Sequence, residues 1–267
     1  MFELLQKGAI SYILPHFAPS VLPAALLLGY FVTALIAYLL GSVDCAIIIS
    51  KYFYHDDVRK HGSGNAGMTN MLRTYGKAAA GLTLLGDALK TALAILIGNL
   101  LMGAGNEFLP GGYLAGLLVI IGHAWPIFYK FKGGKGVVAS AIVILINSPI
   151  VFLIVFVMFA IVLLLSRYMS MASITGMLVY PLVLRTMYNS VTHPEVQGLA
   201  TVCAVFMTLL VIFLHRENLR RLRDGTESKF SFKRQAEPAA ATVDSSATEV
   251  KRRSGVARKK KGGKKKR

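Results

Sequence analysis

The sequence predicts an all-α integral membrane protein with about seven transmembrane helices. Of its 267 residues, 54% are hydrophobic and only 16% are charged, whereas about a quarter of the residues in a soluble domain carry charge. Apolar stretches long enough to cross a bilayer, which takes about 20 residues, recur along the chain. Both cysteines, Cys45 and Cys203, fall within such stretches, so no disulfide framework and no metal-ligand spacing is predicted.

Seven apolar stretches alternate with polar segments. In chain order they are residues 21–50, 78–103, 111–129, 136–147, 150–166, 170–189 and 196–214. The fourth stretch is short, and only residues 147–149 separate it from the fifth. These two stretches are therefore expected to form a hairpin whose first arm does not fully span the bilayer.

The distribution of Lys and Arg predicts the orientation of the helices. Residues 51–77 carry five basic side chains and residues 130–135 carry three, whereas residues 104–110 and 190–195 carry none. Basic residues concentrate in cytoplasmic loops. With an odd number of spans, the N-terminus is expected outside the cell and the C-terminus in the cytoplasm.

The last forty residues differ from the rest of the chain in composition. Residues 228–267 contain 14 basic and 3 acidic side chains, so they carry +11 of the net charge of +17. Their mixture of Ala, Ser, Pro and charges offers nothing that buries a core. We therefore predict a transmembrane domain over residues 1–227 and a disordered tail over residues 228–267. The tail is expected to lie on anionic lipid head groups rather than to bind a specific nucleic acid.

The first of three polar, glycine-rich segments covers residues 59–73. Its glycines are Gly62, Gly64 and Gly67. Glycines allow backbone N–H groups to converge on an anion. Asn65 or Thr69 is expected to cap a short helix that ends near Gly76, and a helix N-terminus attracts phosphate. Glycines alone would indicate a flexible turn. The polar side chains that favour a phosphate site are Ser63, Asn65, Thr69, Asn70 and Arg73.

The second segment covers residues 122–136 and joins the third apolar stretch to the fourth. Its lysines and glycine amides would meet an anion at the N-terminus of the helix that begins at Val137. The candidate phosphate ligands are Lys132, Gly133, Gly134, Lys135 and Gly136. The spacing of a nucleotide-binding P-loop is absent. The alternative is membrane anchoring by the lysines, with Trp125 and Tyr129 as interfacial aromatics.

The third segment, residues 213–227, leaves the last apolar stretch. His215 and Asn218 are three residues apart, so they share one face of a helix, which Gly225 is expected to end. Taken alone, a histidine at this depth indicates an interfacial side chain. A position opposite two anion-binding segments favours a functional role for it.

A few charged or titratable residues fall within the apolar stretches, where they are costly and usually paired. Asp87 and Lys90 are three residues apart and are expected to neutralise one another. His123 is expected to be a hydrogen-bonded core residue. No partner is evident for Asp44 or Arg185.

The order and spacing of these motifs resemble the bacterial acyl-phosphate:glycerol-3-phosphate acyltransferases, the PlsY family of integral membrane enzymes. The likeness extends from about residue 40 to residue 227. It rests on SGNxGxTNxxR at residues 63–73, GHxxPxFxxFKGGKGV at 122–137, SRYMS at 166–170 and HREN at 215–218. Members of the family usually have Pro where Asp44 stands, and they lack a long Lys-rich tail.

The resemblance implies that a fatty acyl-phosphate gives its acyl group to the sn-1 hydroxyl of glycerol 3-phosphate. The products are phosphate and 1-acyl-glycerol 3-phosphate (lysophosphatidic acid), in the first step of phospholipid biosynthesis. It also implies a multi-pass protein of the bacterial inner (plasma) membrane, with its active site facing the cytoplasm and with no cofactor or metal.

The resemblance also assigns roles to residues of the three segments. The implied catalytic residues are Ser63, Arg73, His215 and Asn218. Lys135 with the second motif would hold glycerol 3-phosphate, Ser170 would contact a substrate phosphate, and Glu217 would support the structure. The proton of the attacking hydroxyl goes either to His215 or to a phosphate oxygen of the substrate. The second route is favoured, since no carboxylate three or four residues from His215 is available to orient it.

Three other classes of protein compete with this interpretation. A transporter of phosphate or an organophosphate also uses basic glycine-rich loops, but transporters tend to place polar sites near the midplane. A Mg²⁺-dependent phosphatidyl transferase requires clustered acidic ligands, and only Asp56 and Asp57 are adjacent. A membrane scaffold recruited by its tail leaves the three motifs unexplained.

Overall fold

The computed structural model describes residues 2–16, 18, 20–104, 110–189 and 194–231, which are built from helices. Within these ranges no β-strand occurs, and the predicted all-α fold is confirmed. The described residues belong to one compact unit. Of the predicted basic tail, the part from residue 232 onward lies outside the described residues.

The helices follow one another through short connections. In chain order they are α1 (Phe2–Lys7), α2 (Ala9–Ile13), α3 (Leu22–Ser42), α4 (Cys45–Tyr54), α5 (Met68–Tyr75), α6 (Lys77–Met102), α7 (Gly111–Ala124), α8 (Val137–Asn147), α9 (Pro149–Ser166), α10 (Met169–Asn189), α11 (Pro194–Leu214) and α12 (Arg216–Arg223). Short 3₁₀ helices occupy Leu14–His16, Val58–Lys60 and Ile127–Tyr129.

Several helices have the length and composition needed to cross a bilayer. Among the described residues, four segments qualify: Leu22–Tyr54, Lys77–Met102, Gly111–Tyr129 and Pro149–Ser166. A fifth is added if Ala200–Leu214 and Arg216–Arg223, which are bent by 54°, count as one span. By length and composition, the described residues thus contain four or five of the roughly seven predicted spans.

The predicted hairpin forms between α8 and α9. Helix α8 has 11 residues, which corresponds to about 16 Å, or half of the roughly 30 Å hydrocarbon thickness. Ser148 alone separates α8 from α9. The expected short arm is therefore confirmed, and α8 begins directly at the second glycine-rich segment.

Helix α7 lies at the centre of the bundle and packs against α3, α6, α8 and α11. Two close approaches depend on glycine, because a side chain at Gly122 would collide with the Tyr38 carbonyl of α3 and one at Gly98 would collide with α7. The outer helix α9 instead exposes Leu164 and Leu165 by 78% and 82%. Such apolar exposure is compatible with lipid as the surrounding solvent.

The first predicted apolar stretch, residues 21–50, is two helices rather than one. The backbone becomes extended at Val43 and Asp44, and Asp44 Oδ1 accepts a hydrogen bond from Ile47 N–H at 3.0 Å. Asp44 is therefore the N-cap of α4, which accounts for a buried carboxylate without an evident partner in the sequence. The break turns the chain toward the first glycine-rich segment.

Lys90 stabilises this break from α6. Its Nζ donates hydrogen bonds to the carbonyls of Gly41 at 3.1 Å and Val43 at 2.7 Å. The same Nζ lies 2.9 Å from Asp87 Oδ1 and 3.1 Å from His123 Nδ1. The expected Asp87–Lys90 pair and the hydrogen-bonded core histidine are both confirmed.

We expect Lys90→Met to destabilise the protein strongly, by about 3–5 kcal/mol, because the Asp87 carboxylate would stay buried without its counter-ion. The double variant Asp87→Leu/Lys90→Met should recover part of the loss, since it removes both charges. Unfolding of the purified variants in detergent measures the difference. A double variant no more stable than Lys90→Met would contradict the ion-pair explanation.

Candidate active site

The first glycine-rich segment is organised around the side chain of Asn70. Asn70 is 2% exposed, and its Oδ1 accepts a hydrogen bond from Ser63 N–H at 3.0 Å. Its Nδ2 donates to the carbonyls of Val58 and His61, both at 3.0 Å. With these contacts Asn70 holds the loop, and Ser63 is exposed near the loop tip. Gly62 has a φ of +55°, in the left-handed region that favours glycine.

The short helix expected after this loop is α5, which ends before Gly76 as predicted. Its N-cap is Gly67 and carries no side-chain cap, so the expected cap at Asn65 or Thr69 is wrong. As at the start of any helix, the first amides of α5, those of Met68 and Thr69, have no partner within the helix, whereas the Asn70 amide donates to the Gly67 carbonyl at 3.0 Å. These amides, including that of Thr69, are available to an anion.

Arg73 projects from α5 beside this loop. A side chain at Gly62 would collide with Asn70 and press against Arg73 Cδ, so the loop and the arginine are in contact. Arg73 is partly buried, and burial lowers its pKa; the charge of Glu227 acts to raise it and that of Arg221 to lower it. Its guanidinium has no hydrogen bond or ion pair within the part of the chain that the structure describes.

Asp56 and Asp57, the adjacent carboxylates considered for a metal, are anchors of the same segment. Asp57 forms a bidentate pair with Arg59 at 2.9 and 2.7 Å. Asp56 Oδ2 lies 2.5 Å from His61 Nε2 and accepts a hydrogen bond from the Tyr75 hydroxyl at 3.1 Å. Both carboxylates therefore have partners from within the segment.

The second segment turns tightly back onto the end of α7. Gly133 N–H donates to the Ala124 carbonyl at 3.1 Å, and Gly134 N–H donates to the His123 carbonyl at 3.0 Å. The anion contacts expected of these two amides are thus replaced by contacts to the last carbonyls of a helix, which otherwise lack partners. Gly136, with a φ of +73°, is the N-cap of α8. The free amides of the first turn of α8 remain for an anion.

The first two segments touch one another. A side chain at Gly134 would collide with the Ala66 carbonyl of the first segment and with the ring of His123. Arg59 Nη1 donates hydrogen bonds to the carbonyls of Tyr129 at 3.0 Å and Lys132 at 2.9 Å. The first and second glycine-rich segments are therefore in direct contact in the fold.

The third segment joins the site through a network centred on Glu227. Lys135 Nζ donates a hydrogen bond to Asn218 Oδ1, and Asn218 Nδ2 donates to Glu227 Oε1 at 2.6 Å. The Ser170 hydroxyl donates to the same Oε1 at 2.7 Å, and Arg221 Nε donates to Oε2 at 2.8 Å. Lys135, Asn218 and Ser170, which the sequence and the resemblance single out, are thus brought together.

His215 lies at the bend between α11 and α12 and is 3% exposed. Its Nδ1 is 2.7 Å from the Val211 carbonyl oxygen. Since a carbonyl only accepts, Nδ1 carries the hydrogen, and in a neutral ring Nε2 is then the acceptor. In the described part of the chain, no carboxylate is hydrogen-bonded to this histidine.

The charges in the site influence one another. Burial lowers the pKa of Lys135 to about 8, with the charges of Arg221 and Arg73 acting in the same direction and that of Glu227 opposing them. Burial acts to raise the pKa of Glu227, but hydrogen bonds from Arg221, Asn218 and Ser170 outweigh it and leave the pKa lowered. At neutral pH the site therefore holds a carboxylate among three cations.

The sequence reasoning missed Glu227 and Arg221. It assigned the structural carboxylate to Glu217, which instead is exposed and lies 3.8 Å from Arg220 at the surface. Glu227 reaches the site because the chain reverses after α12, at Gly225 with a φ of +69°. The only sequence signal was that glycine, which was taken as a helix end and not as the start of a return.

Comparisons with known proteins agree with this arrangement. A family model described as "Glycerol-3-phosphate acyltransferase" matches residues 31–225. A glycerol-3-phosphate acyltransferase of Thermoanaerobacter sp. (strain X514) is 41% identical over 201 residues, covering 75% of this chain and 96% of the relative. One of Clostridioides difficile (strain 630) is 38% identical over 208 residues, covering 78% and 98% respectively.

Two solved structures are also similar. The crystal structure of PlsY (YgiH), an integral membrane glycerol 3-phosphate acyltransferase, in its glycerol 3-phosphate form has a TM-score of 0.65 and 35% identity, covering 76% of this chain and 96% of its own. Its lysophosphatidic acid form has a TM-score of 0.62 and 34% identity, with the same coverage. The chain belongs to the glycerol-3-phosphate acyltransferase family.

Proposed function

We propose that this protein transfers a fatty acyl group from acyl-phosphate to the sn-1 hydroxyl of glycerol 3-phosphate, the first step of phospholipid biosynthesis. The observation that carries the proposal is the Lys135–Asn218–Glu227 network, which lies at the start of α8 and within electrostatic range of Arg73. Both substrates are phosphate anions, and this site offers cations and free backbone amides for them. The solved relatives with glycerol 3-phosphate and lysophosphatidic acid support the same pair of substrate and product.

The reaction needs positioning more than activation by the protein. Acyl-phosphate is a mixed anhydride, so the sn-1 oxygen bonds to the carbonyl carbon while the bond from that carbon to the phosphate oxygen breaks. Alignment of hydroxyl and carbonyl supplies much of the rate enhancement. Arg73, which has no protein partner among the described residues, and Ser63 of the adjacent loop tip are assigned to the acyl-phosphate. They would stabilise charge on the departing phosphate.

Lys135 and the N-terminus of α8 are assigned to glycerol 3-phosphate. Lys135 donates a hydrogen bond to Asn218, and Asn218 donates one to Glu227. Glu227 also accepts a hydrogen bond from Ser170. A phosphate bound at this point would displace the amide oxygen of Asn218. Its own oxygens would then accept the hydrogen bond from Lys135 Nζ. The side chains of Asn65, Thr69, Lys132 and Ser170 remain candidate phosphate contacts, while Asn70 supports the loop.

A phosphate oxygen of the substrate is the proposed acceptor of the hydroxyl proton. His215 has Nδ1 tied to a backbone carbonyl and no carboxylate to stabilise its charged form. Those features favour an uncharged imidazole whose Nε2 accepts a hydrogen bond and orients the hydroxyl. Asn218 lies one turn further along, on α12, and its side chain accepts a hydrogen bond from Lys135.

The proposal includes seven spans in the inner (plasma) membrane of a bacterial cell, with the N-terminus outside and the site at the cytoplasmic face. The gathering of the basic segments at one end of the bundle supports it. Single cysteines at the exposed positions Lys60 and Lys130 should react with an impermeant thiol reagent only from the cytoplasmic side. Labelling of the two from opposite sides would overturn the arrangement. The basic tail is proposed to add attraction to anionic lipid.

The function is tested by product formation with purified protein in detergent. Acyl-phosphate and glycerol 3-phosphate should give phosphate and lysophosphatidic acid in equal amounts, without added coenzyme A or metal, and Arg73→Ala should abolish both. The rival function is transport of phosphate or an organophosphate. Solute uptake into vesicles without any acyl product would favour transport and sink the enzymatic proposal.

The pKa of Lys135 predicts the alkaline limb of the pH profile. Since that pKa is lowered to about 8, the ammonium loses its proton as the pH rises past this value. The value of kcat/KM for glycerol 3-phosphate should then fall by up to about tenfold per pH unit. Lys135→Arg keeps its charge throughout and should show no such limb at a lower overall rate. An identical limb in Lys135→Arg would exclude Lys135 as its source.

Replacing His215 separates the two routes for the proton. If the imidazole only orients the hydroxyl, His215→Gln should keep turnover at saturating substrates within about tenfold of the native rate. His215→Ala, which loses the hydrogen bond, should be slower. A drop of about 10²–10⁴-fold in His215→Gln is the loss expected for a general base and would reject the substrate-phosphate route.

A further inference from the structure

Arg59 has contacts unlike those of any other cation near the site. It lies in the 3₁₀ helix that precedes the glycine run. Its Nε and Nη2 donate to the two carboxylate oxygens of Asp57 at 2.9 and 2.7 Å. Its Nη1 donates to the Tyr129 carbonyl at 3.0 Å and to the Lys132 carbonyl at 2.9 Å. One side chain of the first segment therefore grips the backbone of the second.

These contacts use four of the five N–H groups of the guanidinium. Arg59 thus has little left with which to bind a substrate phosphate, in contrast to Arg73, for which the described residues supply no partner. The Asp57 carboxylate fixes the plane of the fork, and the hydrogen bond from Arg59 lowers the pKa of Asp57 to about 2. The pair is consequently ionised at neutral pH.

The turn that Arg59 grips has an unfavourable backbone. Between the two carbonyl acceptors lie Lys130 and Phe131, with φ values of +57° and +56°. Residues other than glycine rarely adopt this left-handed conformation, and two in succession need outside support. The carbonyls on either side of them are the ones that Arg59 binds. Without those bonds the turn would keep only backbone hydrogen bonds such as that from Phe131 N–H to the Pro126 carbonyl at 3.0 Å, and it would be looser three residues before Lys135.

We propose that Arg59 is a positioning residue that clamps the Tyr129–Lys132 turn and thereby sets Lys135 and the start of α8 against the first glycine-rich segment. This inference rests on the proposed function, because it concerns how the glycerol 3-phosphate side of the site is held. Arg59 touches no substrate in this scheme. Asp57 acts with it by orienting the guanidinium.

Steady-state kinetics of Arg59→Lys test the clamp, since lysine keeps the charge but cannot bind two carbonyls and a carboxylate together. The KM for glycerol 3-phosphate should rise at least about fivefold, with kcat within about twofold, because the misplaced group acts in substrate binding. Asp57→Asn should show the same pattern more weakly. Lys60→Ala, at the exposed neighbouring position, should match the native protein.

Two further measurements separate positioning from a general loss of structure. In a double-mutant cycle, Arg59→Lys should add little to the KM of Lys135→Ala, because both changes act through the same lysine. Trypsin should cleave after Lys130 and Lys132 faster in Arg59→Lys than in Lys60→Ala, and this readout does not depend on activity. Full additivity with Lys135→Ala, or native-like kinetics and cleavage in Arg59→Lys, would overturn the proposal.

The remaining outcomes also have distinct meanings. If neither Arg59→Lys nor Asp57→Asn can be purified in folded form, the pair supports the whole fold and the specific clamp is rejected. If the native protein forms no lysophosphatidic acid, the proposed function fails, while faster cleavage of the turn in Arg59→Lys would still show the clamp. The two ideas can therefore fail separately.

Discussion

The site depends on the placement of one carboxylate among cations that would otherwise repel one another. Besides burial, the charges of Arg221 and Arg73 lower the pKa of Lys135, while the charge of Glu227 acts to raise it. Like charges are costly to gather in surroundings partly removed from water. Three cations and one carboxylate leave two positive charges, which suits a phosphate dianion. Glu227 thus permits the cluster without neutralising it.

Local patterns in the sequence were sufficient for the parts of the site that depend on neighbouring residues. The run from Ser63 to Arg73 combines glycines with polar side chains, and the structure makes it a loop followed by a short helix that ends at Gly76. The segment through Lys135 likewise ends at the start of a helix. Helix ends and glycine turns are set by local backbone chemistry, so they are readable without the fold, although the cap of α5 is Gly67 and not Asn65 or Thr69.

Features that depend on distant contacts were not readable. Glu227 enters the site only because the chain returns past Asn218, and nothing near residue 227 encodes that partner. The amides of Gly133 and Gly134 face the end of α7 rather than an anion, which depends on how two elements pack. Two arginines of one segment illustrate the same limit, since Arg59 uses four of its five N–H groups on protein acceptors, while the described residues supply no partner for Arg73. The sequence alone does not distinguish the contacts of these two arginines.

The last described residues attach the chain to the helices just beyond Glu227. Beyond Glu227, the N–H of Phe230 donates to the Arg167 carbonyl at 2.6 Å, and its ring packs against the apolar cluster around Ile47 and Met71. This anchor lies between Glu227 and whatever follows along the polypeptide. It therefore fixes the chain three residues beyond the Glu227 carboxylate and helps to keep that carboxylate among its partners.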